Sequence, residues 1–347
     1  MVALAACRPA SDVSSALLGY LKDRLELERL TFAEPPEEIP DGWEAQVFRF
    51  RLQGDDSLAP LLHANLIVRA YSSHVALARI RHEWQLQAYL SARDFPVPRP
   101  FVLEKKSGLV FGGPFLVMEW VPGVTLAELL LHKWTSVLWA PQRMAETHVR
   151  LHRLRYKRLK RSGQPFLDRS LTALANAIHD HELRGLEPGV RWLEEHRPAV
   201  AEECIIHLDF HPINLMFDAT GCRAVLDWGD ADVGDRHADI ATTVLLMRLA
   251  PLKLSPWDRL VATVGKRLLI HNYLHAYRKI LPIDEDRLRY YQAWAALRRL
   301  ARWGSWLHGG GLADGVKPTC LEHLHAGCIR RFARSFAKSS GVTVGLT

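Results

Sequence analysis

The chain has 347 residues, 45 Lys and Arg against 38 Asp and Glu, a formal charge of +7, and 48% hydrophobic content. Such a composition excludes disordered, fibrous and collagen-like classes, and the length suits two lobes better than one core. No apolar run reaches the roughly 18 residues of a membrane span, so no membrane partner is expected.

The start, "MVALAAC", has a small-residue run before Cys7. It lacks the basic start and apolar core of an export signal, so a cytoplasmic location is expected. Five scattered cysteines (Cys7, Cys204, Cys222, Cys320, Cys328) without metal-type spacing fit a reducing compartment. Charge is uneven. Residues 1–121 carry 13 basic and 15 acidic side chains, and residues 122–347 carry 32 and 23. Within the second part, residues 201–250 hold 9 acids against 3 bases, an acidic island in a basic surround. Islands of this kind often serve metal ions or proton transfer.

In chain order, Ser11 to about Leu27 reads as an amphipathic helix with a Ser/Asp start. The Pro-rich "AEPPEEIPDG" leads into "WEAQVFRFRL", which alternates as a strand does. "GDDS" breaks it and "ANLIVRAY" is a second strand. A helix is expected from about His74 to Arg93, with Leu77, Ile80, Trp84 and Ala88 on one face. "FPVPRP" stops it. "GLVFGGPFLVMEWV" reads as a hairpin with an apolar second strand. From "PGVTLAELL" onward the pattern is helical, with one small β region: "INLMF", a turn at "DATGC", then "RAVLDW". "GGGLADG" near residue 310 reads as a loop between helices.

Polar residues interrupt that β region at its start, in "HLDFHPINLMFD" (His207–Asp218). Asp209 and Asn214 lie five positions apart, and Asp227 comes later, across the hairpin. The hairpin folds the chain back, so Asp227 is expected near Asn214. A carboxylate and an amide oxygen at one point suit a hard cation such as Mg²⁺. A second carboxylate, Asp209, is then placed to orient an acceptor hydroxyl and accept its proton. Phosphoryl transfer needs those parts.

"HLDFHPIN" followed by "AVLDWGDADVGDRHADIA" resembles the aminoglycoside phosphotransferase and choline kinase superfamily. The resemblance implies an α+β, two-lobed protein-kinase-like fold. A small antiparallel-sheet N-lobe with one key helix (1–121) would bind nucleotide. A larger, mainly helical C-lobe (122–347) would carry the catalytic loop, metal site and acceptor pocket. It implies ATP and Mg²⁺ as cofactors and a small-molecule hydroxyl acceptor. Asp209 would be the catalytic base; Asn214 and Asp227 would hold Mg²⁺. His207, Asp235 and Asp239 would brace the loop, and His211 would lie near the acceptor. Two positions depart from the family pattern: Leu208 where Gly is usual, and Arg236 where Pro is usual. "LIVRAY" matches the strand bearing the phosphate-binding cation, here Arg69. "RHEWQLQAYL" matches the next helix, whose Glu83 would pair with Arg69 from the border of the buried face. "FLVMEWVPG" resembles the hinge, with Met118 lining the adenine pocket and the Glu119 and Val121 backbone reading the base. Gly42 in "PDGWEA" is the candidate for a phosphate cover, against an ordinary turn.

Other readings compete. His207, Asp209 and His211 alternate, and on a strand would share one face as a metal-dependent hydrolase site. A kinase-like protein that binds nucleotide without turnover is a second. Nucleic-acid binding would rest on "RMAETHVRLHRLRYKRLKR", eight Lys and Arg from Arg143 to Arg161. Met144, Leu151 and Leu154 at helical spacing mark it instead as a core helix with a solvated basic end. Tyr291, Trp294, Trp303 and Trp306 read as core packing, with one or two open to contact the acceptor. Outside 201–250 the C-terminal part holds 29 bases and 14 acids, which favours a neutral or anionic acceptor over a polycation. Oligomeric state and the choice of ATP or GTP are open.

Overall fold

A computed structural model describes residues 10–39, 45–54, 64–71, 77–105, 110–133, 135–156, 163–199, 203–219, 221–249, 256–310 and 326–346. The chain divides into two compact units with a boundary between Pro122 and Gly123.

The first unit is a five-stranded antiparallel sheet with a helix on each face. Its elements are helix α1 (Ala10–Leu25), strands β1 (Thr31–Ile39), β2 (Ala45–Gln53) and β3 (Asn65–Tyr71), helix α2 (Leu77–Ser91), and strands β4 (Pro100–Glu104) and β5 (Phe115–Glu119). The spatial order is β1-β2-β3-β5-β4. Period-two alternation sorts the side chains. Phe48, Phe50, Leu52, Leu66, Val68, Phe115 and Val117 pack with Val13, Leu17 and Leu21 of α1. Residues from the opposite face, Tyr71, Leu116 and Met118, pack with Ile80 of α2.

Three sequence expectations change here. The Pro-rich "AEPPEEI" is not a lead-in but part of β1. Pro35 and Pro36 lack N–H groups, and β1 tolerates them as an edge strand whose register slips between Phe32 and Glu37. β5 pairs with β3 and β4; of the "GLVF" stretch expected as its hairpin partner, Gly108 and Leu109 lie outside the described residues and Val110 is buried in the core without being a strand residue. The buried stripe of α2 is Ile80, Glu83, Leu86, Gln87 and Leu90, rotated from the expected Leu77, Ile80, Trp84 and Ala88.

The second unit is mainly helical. It holds β6 (Val124–Thr125), α3 (Leu126–His132), α4 (Ser136–His152), α5 (Phe166–Asp180), α6 (Glu187–Glu195), β7 (Glu203–Ile206), β8 (Leu215–Asp218), β9 (Gly221–Val225), β10 (Asp232–Asp235), α7 (Arg236–Leu249), α8 (Pro256–Ile280), α9 (Glu285–Ser305) and α10 (Ala326–Ser340). Thr125 and Glu128 close a capping box on α3. Gly123 precedes it at φ +142°, where an added Cβ would lie 2.6 Å from the Phe217 carbonyl oxygen. Only glycine fits that approach. Helix α4 packs along α8, and α9 packs on α7 and α10. The expected hairpin is present as β8–β9, registered Leu215 to Val225 and Met216 to Ala224. Gly309 and Gly310 end a π turn at Trp306–Gly310, and the rest of the expected "GGGLADG" loop, with residues 311–325, lies outside the described residues. Among the described residues no helix is long and apolar enough to cross a membrane.

Candidate active site

In the first unit, alternation along β3 points Arg69 to the α2 face, where Glu83 sits. Arg69 Nη1 donates to Glu83 Oε1 at 2.5 Å, and the Tyr71 hydroxyl donates to Oε2 at 3.2 Å. Arg69 also lies 5.4 Å from the Tyr71 ring centre. The Glu83 side chain is 3% exposed and that of Arg69 17%. A carboxylate so buried requires its partner, and this burial excludes a surface Glu83 paired only with Arg79. Met118 is buried on the same face as Leu116. The Glu119 and Trp120 amides donate to Arg99 and Asn65 carbonyls, at 2.8 and 2.7 Å. Val121, half-buried, comes just beyond the strand. Gly42 lies outside the described residues.

In the second unit, β7 ends at Ile206 and Leu208 adopts φ +61°. The chain therefore turns, and His207, Asp209 and His211 do not share a strand face. His207 is fully buried. Its Nδ1 accepts the Asp209 N–H at 3.1 Å, and its Nε2 lies 3.0 Å from the Leu226 carbonyl oxygen. Accepting at Nδ1 leaves the proton on Nε2, so the ring is the neutral Nε2–H tautomer. Burial also pushes its pKa down. Both nitrogens are engaged, which removes the first ligand of the hydrolase reading.

The turn delivers Asp209 to Asn214. Asn214 Nδ2 donates to Asp209 Oδ2 at 2.8 Å and to its backbone oxygen at 3.0 Å. His211 Nε2 lies 3.4 Å from the same Oδ2, and Arg299 Nη2 lies 3.5 Å from Oδ1. Burial raises the Asp209 pKa, but His211, and then Arg299, outweigh it and hold the carboxyl below the usual range. The group is thus ionised at neutral pH, and its side chain is 22% exposed. The Asn214 carbonyl accepts the Leu226 N–H at 2.8 Å, which carries the next residue, Asp227, alongside. Asp227 is half-buried at φ +60°. With Nδ2 committed to Asp209, Asn214 offers its amide oxygen. An amide oxygen and a carboxylate form the oxygen donor set a hard cation takes.

Asp239, fully buried at the start of α7, holds the loop backbone. It accepts the His207 and Leu208 N–H groups at 2.6 and 2.8 Å. Beneath it lies a cluster that sequence reading missed. His152 Nε2 is 3.2 Å from Asp239 Oδ2, and the His152 Nδ1 contacts the Tyr277 hydroxyl at 2.6 Å. His148 Nε2 is 2.9 Å from Oδ2 but out of line for a hydrogen bond, and its Nδ1 contacts the Tyr273 hydroxyl at 2.7 Å. Burial, with His148 alongside, lowers the His152 pKa to about 4. The available signals were two i, i+4 pairs, His148/His152 and Tyr273/Tyr277, on helices that pack together. Asp235 departs from its expected role. Its oxygens accept from His237 Nδ1 (2.7 Å) and Arg287 Nη1 (2.9 Å), so it ties α7 to α9 and does not bond the loop. Arg236, at the departure from the family pattern, donates to the Pro282 carbonyl at 2.6 Å.

Also missed were Asp230 and three arginines of α9. Arg298 and Arg302 donate to Asp230 Oδ2 at 3.0 and 2.8 Å, while Arg299 faces Asp209. Of the aromatic set, Tyr291, Trp294 and Trp306 are buried and Trp303 packs edge-on to Phe332. They are core. Met144 and Leu151 are buried in α4 as expected. The basic end from 157 to 161 lies outside the described residues.

Known proteins resemble this chain in both sequence and fold. The family model for the phosphotransferase enzyme family matches residues 36–300. An aminoglycoside 3'-phosphotransferase of Streptomyces fradiae is 28% identical over 267 residues, 72% of this chain and 90% of that protein. Human acyl-CoA dehydrogenase family member 11 is 29% identical over 253 residues, 66% of this chain but 30% of that protein. The mouse protein of that name is 30% identical over 175 residues, 47% of this chain and 22% of its own length. This chain thus spans under a third of those dehydrogenase-family relatives. Among solved structures, a thermostable mutant of aminoglycoside phosphotransferase APH(4)-Ia superposes with a TM-score of 0.63 at 16% identity, covering 94% of this chain and all of that one. Amicoumacin kinase in complex with AMP-PNP, Ca²⁺ and its ligand superposes at 0.59 and 15%, covering 96% of each. These likenesses show a protein-kinase-like fold.

Proposed function

The chain belongs to the phosphotransferase enzyme family, and from that membership we propose that it transfers the γ-phosphoryl group of ATP to a hydroxyl of a small molecule. The observation that carries this reading is the Asp209–Asn214 hydrogen bond with Asp227 brought alongside by the Leu226–Asn214 pairing. Asp209, ionised and partly open, orients the acceptor hydroxyl. The hydroxyl oxygen bonds to the γ-phosphorus, the bond from that phosphorus to the ADP oxygen breaks, and the hydroxyl proton passes to Asp209. Because the transition state is loose, alignment and charge stabilisation count for more than proton removal.

Asn214 Oδ1 and the Asp227 carboxylate would hold Mg²⁺, which supplies neutralising charge to the phosphate oxygens. Arg69, fixed by Glu83, would clamp a phosphate, and an Arg there stays charged at any working pH. Met118 would line the base, with the Glu119 and Val121 backbone along its edge. Residues 1–121 would serve the nucleotide, and residues 122–347 the loop, metal and acceptor. Solved relatives of the fold that hold ADP or AMP-PNP support nucleotide use.

An ADP-release screen over hydroxylated metabolites and antibiotics, with Mg²⁺ present, tests the reading. Acceptor-dependent ADP release that vanishes in Asp209→Asn is expected. Nucleotide binding with no release for any acceptor would instead favour an inactive kinase-like binder.

A further inference from the structure

Helix α9 turns three arginines toward two carboxylates. Asp230 is shared by Arg298 and Arg302, each bonded to Oδ2. Arg299 is left to face Asp209 alone. Its side chain is 14% exposed, and its Nη2 is buried, without a hydrogen-bond partner, 3.5 Å from Asp209 Oδ1. Three guanidinium groups thus meet two carboxylates, which leaves one positive charge over in a cluster that borders the group receiving the acceptor hydroxyl. A guanidinium is a planar fork of donors matched to a carboxylate or phosphate, and a buried donor of this kind calls for an acceptor atom. An ammonium-bearing acceptor at Asp209 would instead meet a like charge.

We propose that the physiological acceptor carries an acid group, a carboxylate or a phosphate, close to the hydroxyl that is phosphorylated, and that Arg299 binds that acid group. The proposal rests on Asp209 orienting the hydroxyl. It makes Arg299 a specificity-determining residue.

The test uses the full chain with ATP, Mg²⁺ and matched pairs of acceptors: hydroxycarboxylates against their methyl esters, sugar phosphates against the free sugars, and one aminoglycoside. The acid members are expected to show at least tenfold higher kcat/KM than their neutral counterparts. Arg299→Gln should lower the acid-to-neutral ratio of kcat/KM at least tenfold, over and above any loss common to both members from its contact with Asp209. Arg299→Lys, which keeps the charge, should restore part of the preference; an unchanged thermal midpoint in either variant shows that the loss is not unfolding. A preference for the neutral members or the aminoglycoside would overturn this inference alone. So would an equal loss on acids and neutrals in both variants, since Arg299 would then only position Asp209. Phosphorylation of no acceptor at all would overturn the kinase reading and this inference with it.

Discussion

Asp239 Oδ1 accepts the backbone N–H of Leu208 at 2.8 Å, and its Oδ2 accepts that of His207 at 2.6 Å. One buried carboxylate thus fixes the turn that presents Asp209. Asp239→Asn keeps the shape but replaces one acceptor with an N–H₂ donor facing other N–H groups. Charge-assisted bonds of this kind contribute about 1.5–3 kcal/mol each. The variant should lose about 3 kcal/mol in urea unfolding and drop in kcat. Unchanged stability would mean that Asp239 does not hold the loop.

Leu208 occupies φ +61° while only 2% exposed. Leu208→Gly relieves about 1 kcal/mol of backbone strain but removes about 2 kcal/mol of side-chain burial and adds unfolded-state entropy. Burial wins, so the variant should be less stable by about 1–2 kcal/mol in denaturant titration. A more stable variant would show that strain, not packing, dominates this turn.

Glu83 is the more buried partner of its pair with Arg69. In Glu83→Gln the Arg69 guanidinium keeps a neutral acceptor but loses its countercharge. A stability loss of about 2 kcal/mol is expected, since disrupting a buried pair costs up to about 3–5 kcal/mol. The KM for ATP should rise several-fold in steady-state assays. An unaltered KM would detach the pair from phosphate binding.

Acid should weaken the fold before the carboxylates titrate. His152 is held at about 4 by burial and by His148, while a free imidazole titrates near 6.5. Between those values the unfolded chain binds a proton that the folded chain does not, so stability falls as pH drops from about 6.5 to 4, by up to about 3 kcal/mol. The lowered pKa of His207 acts in the same direction. The lowered carboxyls of Asp239 and Asp209 add loss only below about pH 4. Urea midpoints at pH 7, 5.5 and 4.5 should show the slope, and His152→Gln should flatten it. A flat profile in the unaltered protein would contradict a buried neutral His152.

Local periodicity made β2, β3, α2 and the β8–β9 hairpin legible, because each shows its pattern within ten or so residues. The prolines of β1 hid a strand, since only sheet position shows that 35 and 36 need no donor N–H. The rotated stripe of α2 escaped notice because its centre is Glu83, a charged residue that is buried only through Arg69 and Tyr71. At the site, the motif marked Asp209, Asn214 and Asp227 by chain proximity. His148 and Tyr273, 125 residues apart, and Asp209 and Arg299, 90 apart, meet only through helix packing. No short pattern records such meetings.

Following γ-labelled ATP into product, with the best acceptor from the screen, shows whether Asp209 presents an acceptor hydroxyl to a transferred phosphoryl group. Label is expected on the acceptor, and Asp209→Asn is expected to reduce kcat by about 10²–10⁴-fold while ATP binding and the thermal midpoint hold. Label transferred at an undiminished rate in Asp209→Asn would contradict that role for Asp209.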